Sequence, residues 1–221
     1  MSQIAIDGPA GAGKSSIAKL LSKELSFVYV DTGAMYRALA YYCLSNGVSK
    51  EDEKAVWDLC KNADVSIKYI DGEQCVLLNG ENVNGVIRTP EVGGVASSIS
   101  VYKDIREKLV DLQRALAEKE NVVMDGRDIG SVVLPNAELK IYLDAKVEVR
   151  AKRRYDELIE KGQTADLSTL CEEIKERDYR DMHRDNSPLV RVPDAVYIDS
   201  SFMTIEEVKN AIIAEYKKVL G

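Results

Sequence analysis

Residues 8–15 read Gly-Pro-Ala-Gly-Ala-Gly-Lys-Ser, a match to G-x-x-x-x-G-K-[ST]. They follow directly on the apolar run Gln3–Asp7 and open a helical pattern over 15–25. No other feature constrains the chain as much. A glycine-rich turn between a strand and a helix curls successive backbone N–H groups around phosphate oxygens, and the helix N-terminus adds its partial positive charge. In such a cradle Gly8, Pro9, Ala10, Gly11, Ala12, Gly13, Lys14, Ser15 and Ser16 line a nucleoside triphosphate. Lys14 then reaches the β- and γ-phosphates, and the Ser15 hydroxyl is the candidate Mg²⁺ ligand.

Four more short apolar runs, at 27–31, 122–125, 139–144 and 195–199, also end in aspartate. Near-continuous apolar runs that stop at a polar residue suit strands buried on both faces of a parallel sheet, whose carboxyl-end loops carry function. Helical patterns lie between them at 34–44, 102–118, 147–161, 167–184 and 205–220. The expected fold is therefore α/β, a five-stranded parallel sheet flanked by helices. One stretch breaks the alternation. Residues 65–69 and 75–78 flank an Asp71-Gly72 turn signal and Asn79-Gly80 follows, which predicts a small antiparallel sheet. The expected organisation is one domain, with a core over 1–31 and 119–221 and an insert over about 32–118.

The chain has 221 residues, 45% of them hydrophobic, so it buries roughly three quarters of its unfolded surface without needing disulfides or metal staples. With 37 acidic against 30 basic residues its net charge is −7, which argues against coating nucleic acid or a polybasic membrane role. No apolar run reaches a membrane span and no basic signal segment opens the chain, so the expected location is the cytoplasm. Cys43, Cys60, Cys75 and Cys171 form no CxxC pair and are read as buried free thiols. The lone histidine, His183, leaves no material for a His-based triad or a zinc site.

A phosphate cradle does not say where the phosphoryl group goes. No guanine-reading NKxD pattern or helicase motif set is present, which leaves a small kinase. Three further segments bear on its acceptor. Asp31-Thr32-Gly33-Ala34-Met35-Tyr36-Arg37 follows the second run and Asp125-Gly126-Arg127-Asp128-Ile129-Gly130 the third, so both are expected on the rim that carries the cradle. Within 176–184, Arg177, Asp181 and Arg184 fall on one helical face, a spacing that also suits a solvated ion-pair stripe. Asp7, Asp31 and Asp125 are candidates for ordering Mg²⁺ hydration.

Together these segments, with the inserted sheet and Ile87-Arg88-Thr89-Pro90-Glu91-Val92, resemble the bacterial cytidylate kinases over essentially the whole chain. The resemblance implies ATP-dependent phosphorylation of CMP and dCMP in pyrimidine metabolism, with Mg²⁺, by a monomer. It implies that Tyr36, Arg37, Arg127 and Arg184 hold the acceptor phosphate and that Thr32 lines the same site. By the same resemblance Ser97, Arg106 and Asp128 read cytosine, and Arg177 and Asp181 contact ribose. It places a helical lid at about 150–166, with Arg150, Arg153 and Arg154 as candidates to neutralise the transferring group. Lys14, Arg127, Arg184 and Arg153 are the catalytic expectations. A kinase for another small acceptor, such as shikimate or dephospho-coenzyme A, and a non-catalytic nucleotide switch share the cradle and stand as the other readings.

Overall fold

The computed structural model describes residues 1–70 and 73–220. The chain forms two compact units, 1–29 with 120–221 and 30–119.

The first unit is built on a five-stranded sheet. Its strands are β1 (Gln3–Asp7), β2 (Val28–Asp31), β6 (Val122–Gly126), β7 (Leu139–Asp144) and β8 (Val196–Asp199), in the order β2-β6-β1-β7-β8. β1 lies in the middle, parallel to β6 and β7, with Ile6 opposite Asp125 on one side and Ile141 on the other. Because helices cover both faces of such a sheet, its central strand reads as unbroken apolar sequence, and Ile4, Ala5 and Ile6 are fully buried. The core is built from Ile4, Ile6, Ile141, Leu143 and Ile198, with Ile17, Ala18 and Leu21 of α1 (Lys14–Leu25) and Val208, Ile212 and Tyr216 of α8 (Ile205–Leu220). α6 (Val147–Glu160) and α7 (Leu167–His183) pack against each other in the same unit.

In the second unit, β3 (Val65–Ile70), β4 (Glu73–Leu78) and β5 (Glu81–Asn82) form an antiparallel sheet in which Val65 faces Leu78. The expected Asp71-Gly72 turn lies outside the described residues. Helices α2 (Thr32–Ser45), α3 (Glu53–Cys60), α4 (Pro90–Ile99) and α5 (Lys103–Ala117) complete the unit. Met35, Leu39, Cys43, Val56, Ile87, Ile99, Ile105 and Leu109 make a core of its own.

The sequence reading omits α3 and α4. Both are short, yet each starts on a side-chain cap: Asp52 accepts from the N–H of Ala55, and Thr89 accepts from that of Val92, with Pro90 in the first turn. Gly93 and Gly94 lower the helix propensity of α4, and packing of Val92, Val95, Ala96 and Ile99 outweighs that loss. β2 begins at Val28 rather than residue 27 because the N–H of Phe27 still closes α1 on the Ser22 carbonyl. Cys43, Cys60 and Cys75 are buried free thiols, whereas Cys171 is half-buried.

The crossing from β1 to the cradle is tight. Gly8 has φ +147°, and a Cβ there would lie 1.9 Å from the carbonyl oxygen of Leu143. Because that obstacle is backbone in the neighbouring strand, Gly8→Ala should lower the unfolding free energy by about 3 kcal/mol or more. Urea denaturation checks this, and a loss under ~1 kcal/mol would contradict it.

Candidate active site

The cradle occupies residues 8–15 between β1 and α1. Gly13 is the N-cap of α1, with no side chain capping it, so the first-turn amides stay available to an anion. The Lys14 ammonium is buried and donates to the Pro9 carbonyl at 2.8 Å. Burial, aided by the nearby Arg127 charge, depresses its pKa to about 7, although Asp125, Asp181 and Asp7 pull the other way. A triphosphate arriving in the cradle would favour the charged ammonium again.

Of the three strand-end aspartates, only Asp125 meets Ser15. The Ser15 hydroxyl donates to Asp125 Oδ2 at 2.9 Å, and the Tyr29 hydroxyl donates to Oδ1 at 2.9 Å. Asp7 has a different task. Its two oxygens accept the backbone N–H groups of Ile129 and Gly130 at 2.8 and 2.7 Å, which fixes the loop after β6 as it enters a single π-type turn, Ile129–Val133. Burial pushes the Asp7 carboxyl up to about 6 despite those two bonds.

That loop carries Arg127 and Asp128. Arg127 donates through Nε to Asp181 of α7 at 2.8 Å and through Nη1 to its neighbour's carbonyl, Gly126, at 3.2 Å. Burial works against the Asp181 charge, but Arg127, Arg177 and Arg184 together hold its pKa below the usual carboxylate range. α7 ends at His183, so Arg184 is the C-cap, one residue beyond the helix. From there its Nε donates to the Ser187 carbonyl at 2.7 Å, and its Nη2 lies 3.8 Å from buried Asp128. Arg127, Asp128, Asp181 and Arg184 are thus gathered in the first unit by two arginine–aspartate pairs, and the Arg177 charge acts on Asp181 from the same helix.

Thr32, Tyr36, Arg37, Ser97 and Arg106 belong to the second unit. Asp31 caps α2 through the N–H of Ala34 and binds Arg37 Nη2 at 3.0 Å and Arg88 Nη2 at 3.1 Å. Thr32 is buried in the first turn of α2. On α5, Arg106 is buried, donates to the Ser100 carbonyl at 2.9 Å and lies 5.6 Å from the Tyr36 ring centroid. The Ser97 hydroxyl, on α4, is buried without a hydrogen-bond partner among the described residues.

The three α6 arginines differ. Arg154 pairs with Glu157 at 2.9 Å on the surface. Arg153 donates to the Ser200 carbonyl at 2.8 Å. Arg150 is buried against Ala10, Ala145 and Asp178. Sequence reading gave Arg88, Asp178 and Ser200 no role. Asp178 stands in the charged run 176–184, but only the structure supplies its partner.

A parallel sheet whose central strand feeds a phosphate cradle, with a second cationic set beside it, defines a P-loop kinase fold. Solved structures share that fold: an uncharacterized protein from Eubacterium ventriosum (TM-score 0.54, 14% identity, 98% of this chain and 99% of that one), and a gluconokinase from Sinorhizobium meliloti (TM-score 0.50, 14% identity, 99% and 93%). The family model described as cytidylate kinase matches residues 4–218. Curated cytidylate kinases are similar over nearly their whole length. That of Caldicellulosiruptor saccharolyticus is 50% identical over 218 residues, 99% of this chain and 96% of the relative. That of Listeria innocua is 51% identical over 212 residues, 96% and 94%. This chain belongs to the cytidylate kinase family.

Lys14 should make the ligand-free fold pH-dependent. Its folded pKa lies below the unfolded value of 10.5, so the unfolded chain binds more protons between about pH 7 and 10.5, and stability rises with pH across that window. Lys14→Met should remove this slope and, at pH 7 without nucleotide, unfold about 1 kcal/mol or more later than the native chain. Urea titrations of both proteins at pH 7 and 9.5 measure the difference. A gap that does not narrow on going to pH 9.5 would rule out the buried charge as its cause.

Proposed function

We propose that this chain transfers the γ-phosphoryl group of ATP to CMP and dCMP, giving ADP with CDP or dCDP. The observation that supports this reading is that Ser15 of the cradle bonds Asp125 at 2.9 Å, two residues before Arg127, which is itself held by Asp181 at 2.8 Å, so that cradle and arginine loop share one rim. Full-length similarity to curated cytidylate kinases supports the acceptor. The unit 30–119 serves as the acceptor-binding insert, on the organisation read from the sequence as 32–118 within a core of 1–31 and 119–221, and about 150–166 serves as a lid. The enzyme acts as a monomer in the cytoplasm. Among the described residues no helix is long and apolar enough to cross a membrane.

The acceptor phosphate is already an anionic nucleophile at neutral pH, so the site needs no strong general base. Its work is positioning and charge neutralisation. The amides of residues 8–16 bind the donor phosphates, and Lys14 follows the negative charge as it moves. Tyr36, Arg37, Arg127 and Arg184 hold the acceptor phosphate, guanidinium forks matching its oxygens two at a time. Thr32 lines that site, and Arg177 and Asp181 orient the ribose. Ser97, Arg106 and Asp128 read the base, the Asp128 carboxylate accepting from the exocyclic amine of cytosine. Arg153 neutralises the transferring group from the lid. Ser15 and Asp125 present hard oxygen donors 2.9 Å apart, a fit for Mg²⁺. Ser15 and Asp125 would hold the ion, which would supply charge neutralisation for the donor phosphates.

An acceptor screen measuring ADP release with CMP, dCMP, UMP, AMP, shikimate and no acceptor should give turnover with the two cytidylates far above the rest. Equal ADP release without acceptor would sink the reading. Lys14→Ala should cut kcat by about 100-fold or more with the fold intact. Asp128→Asn should shrink the CMP-over-UMP preference in kcat/KM by about tenfold, since an amide can donate to the uracil carbonyl. An unchanged ratio would mean that the base is read elsewhere.

A further inference from the structure

A cradle that turns its N–H groups toward an anion turns its carbonyls outward, and each outward carbonyl needs a donor. Here the Pro9 carbonyl has Lys14 at 2.8 Å, and the Ala12 carbonyl has the Ser200 hydroxyl at 3.3 Å. The Ala10 carbonyl has Arg150, whose Nη1 donates to it at 2.9 Å. Arg150 stands just before the basic run Lys152-Arg153-Arg154, yet its side chain is only 4% exposed. Its other donors are also used. Nε binds the Ala145 carbonyl at 2.7 Å, at the mouth of β7, and Nη2 binds Asp178 Oδ2 of α7 at 2.6 Å. The stem of Arg150 packs against the loop at Gly11, where a Cβ would lie 3.4 Å from Arg150 Cβ. Gly11 also has φ +77°, so the close approach and the backbone turn both call for glycine there.

Among the described residues Asp178 has one hydrogen-bond partner. Its Oδ1 is buried with none among the described residues, and its Oδ2 meets Arg150 alone. One turn further along α7, Asp181 holds Arg127. The same helical segment therefore grips the cradle through Asp178 and the loop after β6 through Asp181.

We infer that Arg150 and Asp178 form a positioning strut for donor binding: Arg150 fixes the outward carbonyl of Ala10 so that the neighbouring amides face the phosphates, and Asp178 anchors that guanidinium to the helix bearing the acceptor-side Arg177 and Asp181. The inference rests on the reading of the cradle as the ATP site. It takes Arg150 out of the lid arginines that approach the transferring group. Three fixed acceptors for one planar fork leave the side chain no freedom to swing.

The test separates positioning from mere support of the fold. Arg150→Met removes the donor to Ala10 and leaves the Asp178 carboxylate buried without its partner, so it should lower both thermal stability and ATP affinity. Adding Asp178→Asn removes the orphaned charge, and the double variant should recover most of the melting temperature. It should still bind ATP about tenfold more weakly, because Ala10 still lacks its donor. Isothermal titration with ATP and no acceptor reads the affinity directly. In turnover assays the loss should fall on KM for ATP, with KM for CMP at saturating ATP within about twofold of the native value. A double variant with restored melting and native ATP affinity would overturn the inference. Should the double variant fail to fold, Asp178→Asn alone decides, because it keeps an acceptor for Arg150 but removes the charge. A several-fold weaker ATP affinity supports the strut and an unchanged one overturns it. A native chain that binds ATP but releases no ADP with CMP would defeat the proposed function while leaving the strut standing.

Discussion

The orientation of the peptide groups between β1 and α1 is the constraint on which the rest of the first unit depends. To aim amides at an anion, the chain must pass Gly8 within touching distance of β7, leave the N-terminus of α1 uncapped, and find donors for the carbonyls that turn away. Those donors come from distant parts of the sequence: Lys14 from the loop itself, Arg150 from α6 and Ser200 from the turn after β8. Ser200 is in turn held by Arg153, which donates to its carbonyl, and by its own backbone N–H, which donates to the Asp144 carbonyl. The sheet order then has a functional meaning. Placing β7 and β8 on the same side of β1 brings their following segments to the outer wall of the cradle, whereas β6 on the other side delivers Asp125 to Ser15 and Arg127 to α7.

Charge is treated in the same way. A net charge of −7 sits awkwardly with a protein that binds two nucleotides until the arginines are followed individually. Arg127 is held by Asp181, Arg184 lies beside Asp128, and Arg37 and Arg88 share Asp31. Each carboxylate keeps a guanidinium ordered and offsets its charge before any ligand arrives. Lys14 differs, with a carbonyl as its hydrogen-bond partner and a pKa depressed by burial and by the Arg127 charge. On the proposed reading, this buried cation is the one placed where phosphoryl charge moves, a common way for a site to hold unfavourable energy in reserve.

Much of this was legible in the sequence because it is carried by local patterns. The run ending at Asp7, the glycines and lysine after it, and the period of Ile17 and Leu21 specify β1, the cradle and α1 without reference to anything distant. β3 and β4 follow from alternation around turn residues. α3 and α4 were missed because their apolar faces are only two turns long, and in α4 two glycines mask the pattern that its Thr89 cap supports. The site was legible by residue type but not by pairing. Arg150, Arg153 and Arg154 are close neighbours in sequence, and nothing in that stretch says that the first is buried, the second bonds a β8-turn carbonyl and the third is solvated. Asp7 likewise reads as a strand-end carboxylate, and only its bonds to Ile129 and Gly130 reveal a structural post.

Pre-paired arginines have a consequence for selectivity on the proposed reading. If a phosphate takes Arg127 from Asp181, the new charge-assisted bond replaces an existing one, and the net gain from the phosphate alone is small. A bare phosphate, or the backbone of a polymer, offers little beyond that exchange. A mononucleotide also brings a ribose, and its hydroxyls give the displaced Asp181 carboxylate new donors. The base brings an amine suited to Asp128. The binding energy that distinguishes ligands then lies in the groups that re-satisfy the displaced acids rather than in the charge that draws anions in. An acidic chain with a few arginines tethered by carboxylates can in this way discriminate among anions that a free basic patch would bind alike.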